Sequence, residues 1–66
     1  MKTIKEIDRD LEALTRQIAI CHRVISDPET DKDARNHFQN IAILTDAQKS
    51  ALHILRVELY NQETKS

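Results

Sequence analysis

Glycine and tryptophan are absent from this chain, and proline, cysteine, phenylalanine and tyrosine each occur once. Each shortage removes an option. Without Gly the tight hairpin turns that need positive φ have no residue to build them, and a chain also poor in Val and aromatics is a poor source of strands. The single cysteine, Cys21, excludes a disulfide within the chain. Neither sign of charge dominates: ten Lys and Arg stand against eleven Asp and Glu, for a net charge of −1. The cations are spread along the whole chain, without the basic footprint of a nucleic-acid binder. No apolar run approaches the roughly 18 residues that mark a bilayer span. The opening residues, Met1 to Asp8, carry charges where the apolar stretch of a signal peptide belongs. The expectation is a soluble cytoplasmic protein with no membrane contact.

What remains is rich in Ala, Leu, Ile, Gln, Glu, Lys and Arg, a helix-forming set, so the chain reads as all-α. Sixty-six residues allow one domain, 1–66. A chain this short buries too little surface to be comfortably stable alone, and with disulfides excluded a second chain is the simplest remaining support.

The first helix is written as a heptad seam. Ile4, Ile7, Leu11, Leu14, Ile18, Cys21 and Ile25 follow steps of 3 and 4 without a gap, which draws one narrow apolar stripe down a helix over about 4–26. Thr3 and Glu6 have the spacing of a capping box at its start, and Arg23 lies near its negative end. Ser26 to Asp31, with Pro28, is the one obvious breaker. Either Asp27 with Pro28, or Thr30 with Asp33, can open the next helix. A connection this short folds the second helix back antiparallel.

The second stripe runs through Ala34, Phe38, Ile41, Thr45, Gln48, Leu52, Leu55 and Leu59, again in steps of 3 and 4. It predicts a helix over about 30–63, about 50 Å long at 1.5 Å per residue, with 61–66 as a frayed polar tail. Folding the stripes together sets Cys21 against Phe38, Ile7 against Leu52, Leu14 against Thr45 and Leu11 against Gln48. Thr45 and Gln48 are the candidate register-setting polar residues, because a mismatched partner would leave a buried polar group unpaired. Thr45 and Gln48 also have capping-box spacing, so the alternative is a three-helix bundle with a break near Thr45.

Apolar residues also lie off the seams. Ala13, Ile20 and Val24 on the first helix, and Ile43, Ala47, Ile54, Val57 and Tyr60 on the second, form a candidate oligomer or partner interface. The expected assembly is a homodimer, two hairpins forming a four-helix bundle.

Chemistry is sparse. His22, His37, His53 and Cys21 lack the spacing of a zinc site. The acids of residues 27–33 alternate as in a calcium loop, but Lys32 stands where its glycine belongs and Phe38 where its final acid belongs. No metal or cofactor is expected. Two or three short helices enclose no pocket for converging catalytic groups, so no enzyme is expected. The function expected is a small protein–protein interaction module (adaptor, regulator or inhibitor), a class often encoded by phages or plasmids. The alternative is a small nucleic-acid-binding regulator using a dimeric hairpin or a helix-turn-helix.

Overall fold

Two helices make up the molecule, α1 at Ile4–Ser26 and α2 at Lys32–Lys65, packed against each other as an antiparallel hairpin. The computed structural model describes residues 2–65, Lys65 in its backbone only. The hairpin measures 54 × 16 × 15 Å. Among the described residues no helix is long and apolar enough to cross a membrane.

α1 starts where its cap dictates. Thr3 Oγ1 accepts from the Glu6 amide at 3.2 Å, and Glu6 Oε1 accepts from the Thr3 amide at 3.4 Å. Two of the amide donors orphaned at a helix start are thereby met. At the other end the Asp27 amide donates to the Val24 carbonyl.

α2 begins later than expected, because Asp31 is the cap that wins: its Oδ1 accepts from the Ala34 amide at 2.7 Å. Asp27 and Thr30 have other tasks. Asp27 Oδ1 accepts from the Glu29 amide at 2.9 Å, and the Thr30 hydroxyl donates back to the Val24 carbonyl at 2.8 Å. Arg35 then reaches over residues 27–31, donating to the carbonyls of Asp27 and Thr30 at 3.3 and 3.2 Å. Two acids of the calcium-like segment, Asp27 and Asp31, are therefore turn and cap residues.

There is no break near Thr45. α2 runs unbroken for 34 residues, which excludes the three-helix bundle and with it the helix-turn-helix. Neither Gly nor Pro interrupts the ladder, and the Thr45 hydroxyl donates within the helix to the Ile41 carbonyl at 2.7 Å instead of capping a new one. The helix continues through the polar residues 61–65. Ser66 lies outside the described residues.

The α1 stripe is turned inward along its length: Ile7, Leu11 and Cys21 are buried, and Ile4, Leu14, Ile18 and Ile25 are half-buried. On α2, Thr45 is buried, Ala34, Phe38, Ile41, Leu52 and Leu59 are half-buried, but Gln48 and Leu55 are exposed. Their inward places are taken by Lys49 and Arg56, both half-buried. A straight α-helix drifts about 20° per heptad from a strict 3.5-residue repeat, so over α2 the positions one residue later rotate in. Lys and Arg tolerate this because their stems lie along apolar surface while their charges reach water.

Two polar contacts bridge the helices: Gln17 bonds Thr45 and Arg56 bonds Asp8. Gln17 and Arg56 have long side chains that lean toward the start of their own helices, so both contacts are compatible with the expected layers of Leu14 with Thr45 and Ile7 with Leu52.

Candidate interaction surface

The two faces of α2 separate when its residues are placed at about 100° each. Phe38, Ile41, Thr45, Lys49, Leu52, Arg56 and Leu59 point at α1. Ile43, Ala47, Ala51 and Ile54 fall on the opposite side with Leu44 and Leu55 along its flank, and all six are exposed. Ile43 is 68% exposed, Leu44 65% and Ile54 62%. Val57 stands exposed at the edge of this strip, and Tyr60 is exposed beyond it, one turn past Arg56.

Of the off-seam residues singled out above, Ile43, Ala47 and Ile54 are thus brought together on one face. Ala13 and Ile20 are exposed on the other helix and do not join it. Val24 is half-buried rather than free, because the connector folds back onto its carbonyl through Thr30. Leu44 and Ala51 belong to the strip but not to the sequence-derived set. The signal for them is a repeat: the Ile43–Leu44 doublet returns as Ile54–Leu55 eleven residues later, which is three turns of a helix.

Thr45 and Gln48 part company. Thr45 is 2% exposed, and its hydroxyl accepts from Gln17 Nε2 at 2.8 Å while donating to Ile41. Gln48 is exposed and sets nothing within the hairpin. A second polar tie crosses the helices at the far end, where Arg56 Nε donates to Asp8 Oδ1 at 2.6 Å. The guanidinium beside it holds the Asp8 carboxyl below its ordinary value, through that hydrogen bond first, and the carboxylate holds Arg56 above its own.

The side of the hairpin carries open grooves. One is lined by Leu11, Glu12, Thr15, Arg16, Lys49 and His53, another by Ile18, His22, Ala42, Ile43 and Asp46. Among the described residues no group of three or more His, Cys, Asp or Glu side chains converges. Cys21 is buried, while His22, His37 and His53 are all exposed; the His37 ring sits edge-on to Phe38 with centroids 5.7 Å apart.

The outer face of α1 is of another kind. Lys5, Arg9 and Arg23 are exposed and fall on the side of α1 away from α2, with Arg16 exposed between them and reaching, like Glu12, to the groove it shares with Lys49 and His53. Cations dispersed in sequence are thereby gathered on one helical face.

Compared with models of protein families, with curated proteins and with solved structures, the chain has no significant match in any of the three.

Proposed function

We propose that this chain is a small, non-enzymatic protein–protein interaction module of the cytoplasm, an adaptor, regulator or inhibitor that acts through the back of α2. The observation that carries the reading is the exposed apolar strip from Ile43 to Leu55. Single apolar residues on a surface are ordinary, whereas a contiguous apolar strip on a chain that otherwise presents charge marks a contact surface. Open grooves, with no converging cluster of His, Cys, Asp or Glu among the described residues, support a role in binding over catalysis. A phage or plasmid source is an expectation attached to this class.

The test uses the full chain as bait beside two variants, Ile43→Glu and Ile54→Glu, with helix content checked by circular dichroism. Proteins retained by the wild type, further copies of the chain included, and lost by both variants support the reading. Retention that is the same on all three baits overturns it.

A second reading rests on the outer face of α1. Lys5, Arg9, Arg16 and Arg23 offer a row of cations to a nucleic-acid backbone, as in the dimeric-hairpin form of a nucleic-acid-binding regulator. Gel shifts at low salt, weakened without regard to sequence by Arg16→Gln, support it. No shift at low salt removes it.

A further inference from the structure

The exposed apolar face of α2 is symmetric along the chain. Ile43 and Leu55 lie six positions either side of Lys49, Leu44 and Ile54 five, Ala47 and Ala51 two. The strip thus reads large–small–small–large in either direction. A two-fold contact between identical chains needs this property, since residue i must meet residue j while j meets i.

We propose that the back of α2 packs antiparallel against the back of α2 in a second copy of this chain, with the two-fold axis passing at the level of Lys49. The proposal rests on the reading of this strip as an interaction surface and names its occupant. In this arrangement Ile43 of one copy meets Leu55 of the other, Leu44 meets Ile54, and Ala47 meets Ala51. The two alanines sit where the helix axes come closest, and small side chains there allow a short interaxial distance. The large residues then close over both ends of the contact.

Charge favours the antiparallel sense. Glu58 lies one turn beyond Ile54 toward the same face, and nine positions from Lys49 in the other direction stands Asn40; both are exposed. Antiparallel pairing sets Glu58 of one copy toward Asn40 of the other, a carboxylate facing a neutral amide. Parallel pairing sets the two Glu58 carboxylates toward each other, which is repulsive.

The exposed area points to a second copy. The hairpin exposes 5267 Å², whereas a compact monomer of its mass exposes about 4,300 Å² by the usual scaling. The excess of roughly 900 Å² belongs to its elongated shape, 54 × 16 × 15 Å, whose long side has room for the ~800 Å² that each partner contributes to a standard interface. Within one chain the buried apolar residues are only Ile7, Leu11 and Cys21 among those described, so burying the strip supplies a core that the single hairpin lacks.

The experiment has two arms. In the first, light scattering on a sizing column follows mass over a range of concentrations. The wild type is expected at twice 7.7 kDa. Ile54→Glu and Ala47→Leu, which charges and wedges the contact respectively, are each expected to halve that mass; both positions are exposed in the hairpin, so its own contacts are spared. In the second arm, Ala47→Cys and Ala51→Cys are made in a Cys21→Ala background, mixed in the reduced form and then oxidised. The mixed 47–51 product is expected to predominate over the 47–47 and 51–51 products. Predominance of the self-linked products overturns the antiparallel arrangement. A wild-type mass of one chain at every concentration overturns self-pairing, and leaves the retention test above as the separate judge of the strip as a surface for another protein. A dimer whose mass survives both variants unchanged places self-association elsewhere and overturns the proposal.

Discussion

The Thr45 hydroxyl donates to the Ile41 carbonyl and accepts from Gln17, so burial to 2% exposure leaves its hydrogen bonding met on both sides. Removing it loses a hydrogen bond and opens a small void together. Thr45→Ala is expected to lower stability by about 1–2 kcal/mol, read from denaturant midpoints. Thr45→Val keeps the volume and should lose less, because exposed Gln17 can turn to water. Asp8 makes a different kind of prediction. Its carboxyl is held below the ordinary 3.8, first by the hydrogen bond from Arg56 and against the opposing effect of desolvation. A carboxylate with a depressed folded value contributes stability that is present above its ordinary value and lost as pH falls through the folded one. The midpoint of the Asp8 carboxyl by NMR titration should therefore lie below 3.8, and Arg56→Gln should return it toward that value. A midpoint unmoved by the substitution would show that the pair is not formed in solution.

At the scale of the element, the ends of the helices matter as much as their stripes. α1 closes its start with the reciprocal Thr3–Glu6 box, and Thr3→Ala should lower the thermal midpoint by an amount corresponding to about 1 kcal/mol. The same order of loss is expected for Asp31→Ala, the residue that decides where α2 begins. The connector depends on Arg35, whose guanidinium donates to two of its carbonyls. Arg35→Met keeps the stem and removes those donors. Hydrogen bonds from a charged group contribute about 1.5–3 kcal/mol when well made, and these are long, so the loss should fall at the low end of that range. Faster amide exchange in residues 27–31 than in the helices would accompany it. α2 itself is an element with two apolar sides. One covers α1, and the other, centred on Ala47 and Ala51, covers nothing within the chain.

For the molecule as a whole the two-layer hairpin is thin, 15–16 Å across and 54 Å long. A rod this thin keeps its interior close to solvent, which is why only Ile7, Leu11, Cys21 and Thr45 are buried outright among the described residues. Under the proposed pairing, stability gained by association depends on concentration. The thermal midpoint by circular dichroism is expected to rise with protein concentration in the wild type and to become independent of it in Ile54→Glu. A wild-type midpoint that stays constant over a hundredfold range of concentration would show that the hairpin stands alone.

The sequence by itself determined the all-α hairpin, the α1 stripe and the capping box at Thr3. These depend on local periodicity and on side chains bonding their own backbone neighbours, and such interactions need no knowledge of the partner helix. It also carried the surplus of apolar residues at Ile43, Ala47 and Ile54. Tertiary structure decided which competing local signal prevailed. Asp31 took the cap from Asp27 and Thr30 because those two bond within the connector. Gln48 and Leu55 turned outward while Lys49 and Arg56 turned in, because a straight helix accumulates about 20° per heptad of drift that a 3–4 count does not show. Thr45 found Gln17 because that long amide side chain leans back along α1 to the level of the buried hydroxyl. The same rotation joined Leu44, Ala51 and Leu55 to the back of α2, and a strip of this shape appears only once one helix has covered the other face.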